Sequence, residues 1–215
     1  MTTESDTPSL PKPANLLRLF GKIDVYLFDQ FLKGRFQPGM KVLDAGCGDG
    51  RNLVYFMRTG FQVFGVDRSH EALQAVRTLA ARVSPSSPET NFRPDMVESL
   101  SFEDAAFDVV LSNAVLHFAR GTEHFDAMVG EMARVLRPGG IFFARLMTTM
   151  GLEGKTEDLG EGRHRLPAGQ EMFLATREQI HAATERMGAE LLEPVKSVLV
   201  EEARSMGVWV ARKKE

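Results

Sequence analysis

A chain of 215 residues, 43% apolar and 26% charged, is long enough for one sizeable core and has an ordinary globular composition. A net charge of −3 gives no basic footprint for nucleic acid, and no stretch approaches the ~20 apolar residues of a membrane span. The single cysteine, Cys47, excludes an internal disulfide and fits a cytoplasmic protein.

Residues 1–13 are polar, with acids and prolines but no basic and apolar leader pattern, and read as a loose tail. From 14 to about 32, Leu16, Phe20, Ile23, Leu27 and Phe31 recur at helical steps and predict one amphipathic helix, a candidate lid extending to about 35. Pro38-Gly39 breaks the chain. Lys41–Ala45 reads as a strand. It enters the turn Gly46-Cys47-Gly48-Asp49-Gly50 and then a helix to about Thr59. Phe61–Val66 is a second strand ending at Asp67, and Ser69 is a candidate N-cap for the helix that follows. Thr90–Arg93 is a weak third strand and Phe107–Ser112 a buried fourth. A helix follows over Thr122–Leu136. The tight turn Pro138-Gly139-Gly140 then feeds a fifth strand, Ile141–Met147. Residues 148–171 carry five glycines without periodicity and read as one long functional loop. Thr176-x-x-Gln179 is a capping box for the last helix. Glu190–Val200 and Met206–Arg212 predict a closing antiparallel hairpin.

Alternating strands and helices imply an α/β fold, a doubly wound, mostly parallel sheet with helices on both faces, in one domain over 14–215. Ligands in such sheets bind beyond the carboxyl ends of the strands, at the switch point. The strand ends Asp44–Gly50, Asp67, Asp95 and Ser112–Ala114 should therefore converge. A carboxylate 21 positions after Gly46 suits both hydroxyls of a ribose, which points to Asp67 rather than a simple helix N-terminal charge. Asp95 can meet an adenine amino group, with Met96 and Val97 as an apolar wall. Asn113 and Ala114 leave the fourth strand beneath a bound cofactor. Asn52 and Arg68 adjoin the turn and the ribose position. His117 is a candidate general base, or a satisfied core histidine. Arg145 and His164 are candidate contacts for an anionic substrate, or simply solvated charges. Cys47 reads as a small residue in a tight turn. There is no metal-ligand spacing.

These segments resemble class I S-adenosylmethionine-dependent methyltransferases. Val42–Gly50 resembles their first motif and Val66-Asp67 the acidic second. Asp95, Leu100, Phe102, Phe107–Val110 and Asn113–His117 resemble the next two, and Leu136–Gly140 the turn before strand five. Gly50-Arg51-Asn52 further resembles the tellurite-resistance-type, small-molecule branch. The resemblance implies a seven-stranded, Rossmann-like sheet with a reversed last strand. It implies that Asp44 and Gly46–Gly50 face the methionine part of the cofactor, Asp67 the ribose, and Asp95 with Met96 the adenine. The resemblance leaves the acceptor open; the favoured reading is a methyltransferase acting on a small molecule, with no metal, no nucleic-acid or membrane partner, and an open oligomeric state. Two other functions compete. A nicotinamide dehydrogenase needs G-x-G-x-x-G, whereas Arg51 stands where the last glycine belongs. A non-catalytic binder of the same cofactor would keep the pocket without turnover.

Overall fold

In the computed structural model, residues 13–86 and 88–215 are described. The apolar runs form parallel strands β1 (Lys41–Ala45), β2 (Gln62–Val66), β3 (Phe92–Arg93), β4 (Phe107–Asn113) and β5 (Leu136–Met147). Their order across the sheet is β3-β2-β1-β4-β5, so the winding reverses between β1 and β4 and opens a crevice at their carboxyl ends. Neighbouring residues of each strand serve opposite faces. Leu43, Val110, Phe142 and Trp209 enter one apolar core, while Val42, Val109, Phe143 and Val208 enter the other. Burial on both faces is why β1, β4 and β5 read as nearly unbroken apolar runs.

Among the described residues, six helices cover these faces: α1 (Pro13–Phe20), α2 (Val25–Leu32), α3 (Val54–Arg58), α4 (His70–Val83), α5 (Thr122–Val135) and α6 (Arg177–Arg186). Ser69 caps α4 through the Ala72 N–H, and Thr176 with Gln179 forms the expected capping box of α6. The single helix expected over 14–32 is instead the pair α1 and α2. Gly21 turns the chain at φ +66°, close against Val54, and the Asp24 carboxylate then accepts the Tyr26 and Leu27 N–H groups to start α2. Phe20 closes the joint, 4.7 Å from the Phe28 ring and 4.9 Å from Tyr55. Of the tail expected at 1–13, all but Pro13 lies outside the described residues.

Other boundaries move for identifiable reasons. The helix after the glycine turn begins only at Val54. Half of the expected third strand, Thr90 and Asn91, falls in the 3-10 turn Glu89–Asn91, leaving two residues in β3. The turn before the fifth strand is a bulge within β5. Leu136 pairs with Phe107 and Ile141 with Val109, so Arg137–Gly140 loop out opposite Asp108, which receives the Arg137 Nε–H at 2.5 Å.

The long loop after β5 is not structureless. It holds an antiparallel sheet of β6 (Glu157–Asp158), β7 (Arg163–Arg165) and β8 (Glu171–Phe173), with its own small core of Leu152, Leu166 and Leu174. Phe173 stacks on Phe125 of α5 at 4.9 Å and so fixes this insertion beside the main core. The closing antiparallel element is present, but its first strand is split into β9 (Ala189–Leu191) and β10 (Lys196–Val200), with Pro194 between them. Both pair antiparallel with β11 (Arg204–Lys213), which lies antiparallel beside β5. The main sheet thus has eight strands in seven positions.

Candidate functional site

A cavity of about 450 Å³ lies beyond the carboxyl ends of β1, β2 and β4. Its floor is the glycine turn. The Gly46 and Cys47 N–H groups both donate to the Val66 carbonyl at 2.9 Å, which folds the turn against β2. Gly46 has φ +85°, and a Cβ there would stand 2.4 Å from Val115. Gly48, at φ +53°, faces open space, so its bare backbone lines the cavity. Asp67 braces this turn from β2: its Oδ2 accepts the Gly48 N–H and its Oδ1 the Ser69 N–H, both at 2.9 Å.

Of the residues singled out in the sequence, Gly46, Cys47, Gly48, Asn52, Asp67, Arg68, Asp95, Met96, Val97, Asn113 and Ala114 do line this one cavity. Asp95 is oriented by Ser101, whose N–H and hydroxyl donate to its Oδ2 at 3.1 and 2.7 Å. Asn52 is buried, and its Oδ1 accepts the Asp24 N–H at 3.0 Å, tying the cavity wall to the start of α2. Asp44 lies behind the turn instead of on the cavity wall. It is 2% exposed, with Oδ1 unpartnered, and burial pushes its carboxyl up to about 7; Asp67 adds to the effect and Arg51 opposes it. The Cys47 sulfur is packed near Gly65, and burial raises its thiol far above the usual range.

Three of the candidate residues lie off the wall of this cavity. His117 does not line the cavity. The 3-10 turn Leu116–Phe118 presents Phe118 there, while the His117 ring is buried and pushed down to about 4 by desolvation. Arg145 is spent on structure. Its guanidinium meets Asp24 at 3.3 Å, donates to the Met206 and Gly207 carbonyls, and lies over the Tyr26 ring. His164 belongs to the insertion sheet, where its Nδ1 is 3.2 Å from the Thr156 hydroxyl, away from the cavity wall.

The structure adds lining residues that sequence reasoning passed over. Arg51 donates to the Asn113 Oδ1 at 2.7 Å, bridging the glycine turn and the end of β4. His124 and Met128, one helical turn apart on α5, also face the cavity. The His124 Nδ1 accepts the Arg120 N–H at 3.0 Å, and its Nε2 lies 2.9 Å from the Glu98 carboxylate. Glu98, Arg120 and His124 also border a second cleft, of about 630 Å³, that reaches Glu161 of the insertion. The i, i+4 spacing of His124 and Met128 was the available signal, but it was legible only as a core stripe. Among the described residues no group of three or more His, Cys, Asp or Glu is disposed to hold a metal, and no helix is long and apolar enough to cross a membrane.

Residues 43–144 match the family described as "Methyltransferase domain". A methyltransferase of Synechocystis sp., itself described as uncharacterized, is 34% identical over 105 residues, covering 49% of this chain and 46% of that protein. A ubiquinone biosynthesis O-methyltransferase of Methylocella silvestris is 33% identical over 116 residues, covering 52% of this chain and 43% of its own. The chain thus spans under half the length of both relatives. A SAM-dependent methyltransferase structure from Methanosarcina mazei superposes with a TM-score of 0.68 at 22% identity, over 86% of this chain and 97% of that one. Residues 43–144 therefore resemble the methyltransferase domain family, and the chain shares the fold of the Methanosarcina mazei structure.

Proposed function

We propose that this protein transfers a methyl group from S-adenosylmethionine to a small-molecule acceptor by in-line displacement. The observation that carries the reading is the single cavity in which the bare backbone of Gly46 and Gly48, the Asp67 carboxylate and the Asp95–Val97 wall meet. A volume of about 450 Å³ suits a nucleoside-sized ligand with an amino-acid tail.

In this reading Asp67 accepts the two ribose hydroxyls with lone pairs left over from Gly48 and Ser69. Asp95 takes the adenine amino group against Met96 and Val97. Asn113, Ala114 and the Gly46–Gly48 backbone hold the methionine end. When bound, the cofactor supplies a methyl group already activated on a sulfonium. The protein then has to align donor and acceptor and exclude water. The α1–α2 pair, tied down through Asp24 and Asn52, is read as the cover. Acceptor choice falls to that pair and to the β6–β8 insertion, both outside the matched segment. No metal is assigned a part, and a cytoplasmic location fits the single, buried cysteine.

Calorimetry with S-adenosylhomocysteine and NAD tests the reading. The homocysteine product is expected to bind and NAD not to; binding of NAD alone overturns it. Asp67→Asn is expected to weaken S-adenosylhomocysteine by on the order of 1.5–3 kcal/mol through lost charge-assisted hydrogen bonds. A screen over thiols, amines, carboxylates, halides and metalloid oxyanions identifies the acceptor. If none is methylated while the cofactor binds, the protein is a non-catalytic cofactor binder.

A further inference from the structure

We propose that two copies of this chain associate through β10, edge to edge and antiparallel about a two-fold axis, so that the main sheet runs on from one copy into the other. The proposal stands apart from the methyl-transfer reading and does not depend on it.

The two edges of the main sheet differ. At one end β3 has only Phe92 and Arg93, and Pro94 follows. Arg77 takes the Phe92 carbonyl with its Nε and Nη2 donors at 3.1 and 2.6 Å. A strand this short, stopped by proline and with a carbonyl already occupied, is a blunted edge. At the other end β10 runs for five residues, Lys196–Val200, without proline. It pairs with β11 on its inner side, and among the described residues no strand pairs with it on the outer side. Leu199 and Val200 are 43% and 37% exposed there. The strand's one charge, Lys196, is drawn back to Glu193 at 3.3 Å and Asp29 at 3.6 Å. An apolar edge with backbone donors and acceptors left over is a template for another strand.

Helix α2 widens this surface. The Lys196–Asp29 contact sets α2 beside the start of β10. Val25, Asp29 and Leu32 stand at i, i+4 and i+7 on one face of that helix, and Val25 and Leu32 are exposed. Pairing of one short strand is a small contact by itself, and the apolar face of α2 meeting its counterpart adds the area.

The charge pattern of the strand selects a second copy in antiparallel sense. β10 opens on Lys196 and runs into the turn Glu201-Glu202. Antiparallel pairing sets the cationic start of each copy beside the acidic turn of the other, whereas parallel pairing sets like charge on like. Full overlap of the strands places the two-fold axis at Val198, which then faces itself, with Lys196 opposite Val200. Such a contact uses the same patch on both copies and closes at a dimer.

Sedimentation over a dilution series tests the association, and cysteine cross-linking tests the register. Wild type is expected to show a reversible dimer, and Leu199→Lys to weaken it by on the order of 10-fold or more. Cys47 is buried, so a new surface thiol is the reactive one. Val198→Cys, facing itself across the axis, is expected to form an intermolecular disulfide when glutathione disulfide accepts the electrons. Val200→Cys, displaced from the axis, is expected to cross-link far less. Any one of three results overturns the proposal. The first is a wild type that stays monomeric or assembles in another stoichiometry. The second is a Leu199→Lys variant that dimerises as wild type does. The third is a Val198→Cys variant that cross-links no more than Val200→Cys.

Discussion

Two buried titratable residues beside the cavity shift their proton equilibria in opposite directions. Asp44 titrates at about 7 in the folded protein against 3.8 in the open chain. Between these values the native state holds a proton that the unfolded chain has lost. Asp44 therefore costs stability as pH rises from about 4 to 7, on the order of 4 kcal/mol in full. His117 titrates at about 4 against 6.5, so the unfolded chain is the one that gains a proton. Its effect is stability lost as pH falls from about 6.5 to 4, on the order of 3 kcal/mol. The two oppose each other over the same acid range and mask one another in wild type. Asp44→Asn is expected to stabilise the ligand-free protein at pH 8 and to do little at pH 4. Urea denaturation across that range measures it, and a pH profile identical to wild type would falsify the assignment of a burial penalty to Asp44.

Among the elements, the α1–α2 pair and the insertion after β5 each hang on few contacts. Asp24 caps α2, bonds Asn52 through its own N–H, and pairs with Arg145, whose side chain is 11% exposed. Asp24→Ala removes the cap and leaves a mostly buried guanidinium short of its carboxylate. The expected loss is about 2–3 kcal/mol, read from denaturation midpoints. In the insertion, Gly162 sits at φ +75°, and a Cβ there would lie 2.5 Å from the Phe173 ring, which anchors the small sheet to α5. Gly162→Ala is expected to loosen that sheet by about 1–3 kcal/mol. Limited proteolysis should then cut faster between residues 153 and 170, while S-adenosylhomocysteine affinity stays at the wild-type value. Slow cleavage equal to wild type would show that Phe173 yields to the added methyl.

For the whole molecule, the cavity draws on strands β1, β2 and β4 and on α5, so a bound ligand ties the sheet to its covering helices. A ligand at 100 times its Kd adds about 2.7 kcal/mol to the native state. For a domain of this size that is a rise in Tm of roughly 5–10 °C. S-adenosylhomocysteine is expected to give this shift in a single cooperative transition, and NAD none. An upward shift confined to one of two separate transitions would show that the C-terminal strands melt apart from the cofactor half.

The alternation of strand and helix, the glycine turn and the acidic strand ends determined the α/β fold and most of the cavity wall. Those signals are local: a glycine at positive φ, an apolar run buried on both faces, and a carboxylate at a strand end each follow from a few neighbouring residues. Asp67, Asp95 and Asn113 stand together because the winding order alone brings their strand ends to one crevice. Side-chain direction is different. His117 and Phe118 are adjacent in sequence, and only the 3-10 turn decides that the phenyl ring meets the cavity and the imidazole the interior. Arg145 looks like a substrate contact until β11 and α2 close around it. Arg51 shows its place only when β4 brings Asn113 within 2.7 Å. The sequence by itself determined the fold and the strand-end residues that meet in the crevice. The tertiary structure decided which charges are free to meet a ligand, because a charge is spent or available according to partners that lie far along the chain.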